Sequence, residues 1–178
     1  MKFSVDESMA ILARMPRIIR ALLVELPEAW WYANYGPGTW SPHEVVGHLI
    51  HGERTDWVPR ARHILDRGES PPFQPFDRDG HSVMCREKKL PDLVDLFGKL
   101  REENIAALRA LTLTPENLAK RGTHPALGPV TLAQLLATWT VHDLNHISQI
   151  CKVLAYQYKA ETGPWEAYLS ILAPPAPR

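Results

Sequence analysis

Apolar positions recur along this chain at steps of three and four, the period of a helix whose one face is buried. Met9, Leu12, Ile19, Leu22, Leu23 and Leu26 form a first such stripe, interrupted by Pro16. An interior proline loses a backbone hydrogen bond and clashes with the turn before it, so two helical pieces are predicted, with Pro16 opening the second. A second helix begins at Ser41, where Ser-x-x-Glu with Pro42 at the first helical position forms a capping box, and Trp40 with Val45 supplies a hydrophobic staple. It is expected to bend at Pro59 and to continue through Leu65. A third runs from Pro91 to Leu111, burying Leu93, Phe97, Leu100, Ile105 and Leu108 and wetting Lys99, Arg101, Glu102 and Glu103. The fourth spans 131–159 and carries the most distinctive pattern. Thr131 and Gln134 make its capping box, and Leu135, Trp139, His142, His146, Gln149 and Val153 share one inward stripe.

Between these helices the pattern dissolves. Residues 27–40 are dense in Trp, Tyr, Pro and Gly and read as an aromatic connection capping one end of the core. Residues 67–89 read as a long loop, of a length often used for functional covers, with His81 exposed in it. Thr114-Pro115 starts a short helix, 120–130 reads as loop, a last short helix is expected over 164–172, and the Pro-rich end, 173–178, reads as a flexible tail. No alternating β pattern survives. The whole is predicted to be all-α: one four-helix bundle domain over residues 1–172.

Composition narrows function more than fold. Acidic and basic residues cancel, 20 against 20, so nothing favours nucleic acid. No apolar run approaches the ~20 residues that span a bilayer, and the N-terminal stretch does not read as a signal peptide. Cys85 and Cys151 stand in no Cys-x-x-Cys motif, which suggests free thiols and a cytoplasmic setting.

The candidate chemistry lies on the fourth helix. His142 and His146 are one turn apart on the buried stripe, so two neutral imidazoles face the same way and can grip one divalent ion. Such a pair alone is weak and needs a third ligand from a facing helix. On the second helix, His43 lies in the first turn and is expected to be solvated, whereas His48 points inward and His51 shares part of that face. His48 with His142 and His146 makes a triad that would leave a coordination position open, as catalytic sites do. By spacing alone His51 stays within reach. Thr138 and Gln149 are candidates to orient the rings. No general base stands out: Asp143 is turned off the ligand stripe, and Asp56 is two turns from His48. No catalytic or cofactor-binding residue is assigned beyond the metal ligands.

Trp40-Ser41-Pro42 leading into Gly47-His48-Leu49, followed much later by Val141-His142-Asp143-Leu144-Asn145-His146, resembles the DinB superfamily of four-helix bundle metalloenzymes over essentially the whole chain. The resemblance implies an up-up-down-down bundle, frequent homodimers, and one divalent metal held by His48, His142 and His146. Zn or Ni is the expected ion, with Fe or Mn as other choices. Some relatives transfer groups with a low-molecular-weight thiol cofactor such as bacillithiol or mycothiol. The expectation is therefore a metal-dependent enzyme acting on a small molecule by thiol-dependent S-transferase chemistry; the alternatives are a metal-dependent hydrolase or a non-enzymatic helical binding protein.

Overall fold

A computed structural model describes residues 2–173. The first arm is α1 (Val5–Leu12) and α2 (Met15–Leu23), broken between them as the proline predicts, with Pro16 in the first turn of α2. The aromatic connection holds a short helix, α3 (Glu28–Tyr32), where loop was expected. The second arm is α4 (Pro42–Thr55) and α5 (Trp57–Arg67). The Ser41 capping box forms: Ser41 Oγ accepts from the Glu44 amide at 3.3 Å, and Glu44 Oε2 accepts from the Ser41 amide at 2.8 Å. The break between α4 and α5 falls at Asp56 (φ −110°, ψ −70°), ahead of Pro59. Pro59 has no N–H for the Thr55 carbonyl and its ring crowds that turn, so the strain is relieved one turn upstream.

Within the long connection lies α6 (Ser82–Glu87), and α7 (Leu90–Ala110) is the third arm. After α8 (Pro115–Ala119) the chain makes an antiparallel hairpin, β1 (Arg121–His124) with β2 (Gly128–Thr131), that pairs Arg121 with Thr131 and His124 with Gly128. This corrects the reading of 120–130 as loop. The strands carry Gly, Pro and His rather than an alternating apolar pattern. They are held by packing instead: the Phe73 amide donates to the Thr123 carbonyl at 2.9 Å, and Gly128 takes φ +74° at the turn. The fourth arm, α9 (Leu132–Gln157), opens from β2 through the predicted Thr131–Gln134 box. The final segment is 3₁₀ turns over Lys159–Tyr168 and Ser170–Leu172, not an α-helix; Gly163 at φ +53° followed by Pro164 interrupts any longer helix. Beyond Ala173, the expected tail lies outside the described residues.

The four arms make a four-helix bundle. One core cluster joins Leu12, Trp57, Ile64, Leu108 and Trp139; the other joins Ile19, Val45, Ile50, Phe97 and Ile150. The start of the first arm therefore meets the end of the second, the end of the third and the start of the fourth. Two arms run each way, and the chain visits them in the order up, down, down, up. This differs from the implied order because the 68–89 connection alone travels the length of the bundle, which makes the second and third arms parallel.

Arg101 corrects its assignment to the wet face of the third helix: it is 1% exposed. Its Nη2 meets Glu53 Oε1 at 2.7 Å, its Nη1 meets Asp143 Oδ2 at 2.7 Å, and Nη1 also donates to the Leu12 carbonyl at 2.8 Å. One guanidinium thus ties all four arms together.

Glycine spacing gives a direct test of the packing. A Cβ on Gly122 would lie 2.7 Å from Phe73 Cζ and 2.8 Å from Ile64 Cγ1, whereas one on Gly98 would meet only Pro16 Cβ at 3.7 Å. Gly122→Ala is expected to cost about 1–3 kcal/mol through overpacking. Gly98→Ala, in the interior of α7, is expected to be neutral or to stabilise by up to about 1 kcal/mol. Thermal melts of the two variants should move in opposite directions; a Gly122→Ala melt at or above that of the parent would contradict this packing.

Candidate metal centre

The three histidines picked from the sequence are brought together. His48 comes from the middle of α4 in the second arm, and His142 and His146 from α9, the fourth. His48 Nε2 is 3.2 Å from His142 Nε2, and His146 Nε2 is 3.1 Å from the same atom. The three donor atoms all lie within 4.8 Å of one another. Two imidazole nitrogens bound at about 2.0–2.1 Å to one tetrahedral ion stand roughly 3.3 Å apart, so the spacing fits a shared divalent cation. His51 does not join them: among the described residues these three alone form such a group. Its ring packs against Phe76 at 5.0 Å and lies so close to Gly80 that a Cβ there would come within 2.4 Å of it.

The triad opens onto a cavity of about 760 Å³. Trp40, Trp57 and Phe76 make its aromatic walls, and Asp56, Arg60 and His124 its polar side. Trp40 lies 4.8 Å from the His48 ring and is stacked at 22° on His146; Trp57 stands 5.0 Å from His142, and Phe76 stands 5.3 Å from His48. These rings limit how far the imidazoles can tilt.

A family model for the DinB superfamily matches residues 11–150. The chain belongs to the DinB superfamily. Among solved structures, YfiT from Bacillus subtilis, described as a probable metal-dependent hydrolase with an unusual four-helix bundle topology, aligns with a TM-score of 0.74 at 22% identity, covering 88% of this chain and 90% of that one. At that identity the likeness establishes the shared fold. No curated protein sequence matches the chain significantly.

In this DinB bundle the rings are prepared to offer lone pairs. Burial and the neighbouring imidazoles lower His48 to about 3. Burial and His142 lower His146 to about 4. Both are therefore neutral at pH 7. Gln149, a candidate from the sequence, does contact the triad: its Oε1 accepts from His146 Nδ1 at 2.8 Å, which fixes the proton on Nδ1 and frees Nε2. Thr138 lines the cavity without touching a ring nitrogen.

Three positions differ from expectation. His43 is buried, donating from Nε2 to the Lys88 carbonyl at 2.8 Å. His81 is buried as well, edge-on to Trp40 at 5.1 Å. The long connection folds back over α4: it covers the His43 surface that the helix alone would expose, and it buries its own His81 against α4 beside Gly47. Asp56, set aside for its distance along the helix, sits at the α4–α5 break and lines the same cavity as His142. It contacts Arg60 Nε at 2.5 Å, and burial raises its carboxyl above the usual range. A break in the helix re-aims the side chain, and no sequence period registers that.

The depressed histidines give the metal-free protein a signed pH dependence. The unfolded chain takes up protons on these rings below about 6.5, whereas the folded chain resists until about 4 for His146 and about 3 for His48. Their contribution to stability is complete above pH 6.5 and is lost as pH falls from there toward 4. Chelator-treated protein should therefore melt at progressively lower temperature over that interval, and His48→Ala should flatten the slope. A melt that rises as the pH drops from 6.5 to 4 would reverse the sign and contradict the neutral-ring assignment.

Proposed function

We propose that this chain binds one divalent metal ion through Nε2 of His48, His142 and His146 and hydrolyses a small molecule held in the adjoining cavity. The observation that carries the reading is the convergence of three Nε2 atoms on one point beside a cavity large enough for a substrate. The likeness to YfiT supports the reaction class. An all-imidazole donor set suits Zn or Ni first, with Fe or Mn as other choices. When bound, such an ion supplies Lewis acidity that polarises a substrate oxygen and makes water nucleophilic near neutral pH.

The remaining work falls to the chain. Gln149 holds the His146 proton on Nδ1. Trp40, Trp57 and Phe76 restrain the rings and shed water from the apolar side of the substrate. Asp56 is the buried carboxylate of the cavity wall, raised by burial, and is the candidate to accept a proton from the attacking group.

Thiol-dependent transfer, the chemistry of some relatives, would need an external thiol. Burial pushes the Cys85 thiol up to about 11, and its Sγ lies against the His43 carbonyl at 3.8 Å, so it offers no thiolate at neutral pH. A homodimer and a cytoplasmic location complete the proposal; among the described residues no helix is long and apolar enough to cross a membrane.

Protein purified without a histidine tag is expected to carry one equivalent of metal by elemental analysis. His142→Ala and His48→Ala should each lose it while keeping the helical circular dichroism spectrum. Gln149→Ala should weaken binding by roughly tenfold. In a panel of small esters, amides and thiol acceptors, hydrolysis is expected, abolished by chelator. Asp56→Asn should lower kcat by about 10²- to 10⁴-fold with metal content retained. Full occupancy in His142→Ala sinks the ligand assignment; turnover only when a low-molecular-weight thiol is added replaces hydrolysis with transfer; absence of metal from the parent protein leaves a non-enzymatic binding bundle.

A further inference from the structure

Behind the triad, the Arg101 network is unbalanced. One guanidinium faces two carboxylates, Glu53 and Asp143, each at 2.7 Å. Glu53 is richly supplied: Asn104 Nδ2 donates to its Oε2 at 2.9 Å and Trp139 Nε1 donates to its Oε1 at 3.2 Å. Asp143, 1% exposed, has the Arg101 ion pair on Oδ2 as its charge partner, and neither of its oxygens makes a hydrogen bond of good geometry; among the described residues Oδ1 has no basic group beside it other than the His142 ring. That oxygen lies 3.7 Å from His142 Nδ1, which is likewise buried without a partner. A buried carboxylate oxygen and a buried ring nitrogen, both unsatisfied, thus face one another on the side of His142 away from the triad.

The two orphans have one solution in common. His142 Nε2 is the central atom of the cluster, facing both His48 Nε2 and His146 Nε2. To offer a lone pair there, the ring must carry its proton on Nδ1, next to Asp143. A carboxylate favours a proton on the facing nitrogen and raises the ligand's basicity at the other, the relation that orients many metal-ligating histidines. At 3.7 Å the contact is electrostatic rather than a hydrogen bond and can tighten. Arg101 holds Asp143 in place from the far side.

We propose that Asp143 is the positioning residue for His142: it keeps the ring in its Nδ1–H tautomer and its Nε2 lone pair turned to the cation. The inference rests on the reading that the triad binds a divalent ion. Glu53 supplies the contrast, because Glu53→Gln removes the same unit of charge from the same network without touching a ligand ring.

The test has two arms. Nitrogen NMR of the histidines in chelator-treated parent protein should find His142 as the Nδ1–H tautomer; an Nε2–H tautomer overturns the inference without any variant having to fold. Zn²⁺ competition against a chromophoric chelator should find Asp143→Asn weakened by about 10- to 100-fold, with Glu53→Gln near the parent value although it also lowers the melting temperature. Equal weakening by the two variants would show a merely structural network and overturn the inference, as would parent-like affinity in Asp143→Asn. Failure of the parent to bind Zn²⁺, Ni²⁺, Fe²⁺ or Mn²⁺ would instead defeat the metal reading, and the tautomer would still decide the role of Asp143.

Discussion

Three imidazole nitrogens turned toward one another have to share something. A neutral imidazole has one lone pair and one N–H, and the central Nε2 of His142 faces two others at 3.2 and 3.1 Å. A proton on it satisfies at most one neighbour and leaves the other lone pair opposed. A proton on each would place like charges in a buried site, and burial already holds His48 and His146 far below their ordinary range. A divalent cation satisfies all three at once. Much of the surrounding structure follows from holding them in that arrangement: aromatic walls, a glutamine on one outer nitrogen, and two helices from different parts of the chain kept in register.

The register comes from the Arg101 network, directly behind the ligands. A buried ion pair is weak evidence for stability, because desolvation offsets most of its attraction. Its value here is geometric. Arg101 can meet Glu53 of α4, Asp143 of α9 and the Leu12 carbonyl of α1 together only when the arms stand at one relative height. Sliding one helix by a turn would strand a charge in the core, which costs far more than a displaced leucine. Apolar packing sets how closely the arms approach, and the network selects which residues face each other.

That division explains what could be read from the amino-acid order. Capping boxes at Ser41 and Thr131 are local devices, and they form as written. The triad was legible because His142 and His146 share a helical stripe and His48 lies inward on its own helix. Arg101 was misplaced because helical periodicity separates apolar from polar, and a charged residue with two buried partners breaks that rule. His43 and His81 were misplaced because residues 68–89 fold onto α4, burying His43 beneath them and His81, one of their own, against Trp40 and Gly47, along a path no period encodes. The hairpin escaped for the same kind of reason: Gly122 reads as loop punctuation, yet it is a glycine because only a hydrogen atom fits between Phe73 and Ile64, a fact about its neighbours.

The covering segment also bears on what the cavity can accept. Phe73 and Phe76 belong to it, and both line the cavity. Phe73 is fixed by the Thr123 carbonyl, by the Arg60 guanidinium 5.1 Å from its ring and by burial against Ile64. The hairpin thereby clamps one end of the cover, and α6 anchors the other beside α4. A cover pinned at both ends makes the cavity largely pre-formed, with aromatic rings and a few polar groups, Asp56, Arg60 and His124 among them, in its lining. Selectivity in such a site comes from shape and from those few polar contacts. For the small molecule proposed above, the rings would offer an apolar flank and the histidines a polar end, so that the same walls would bind and orient it.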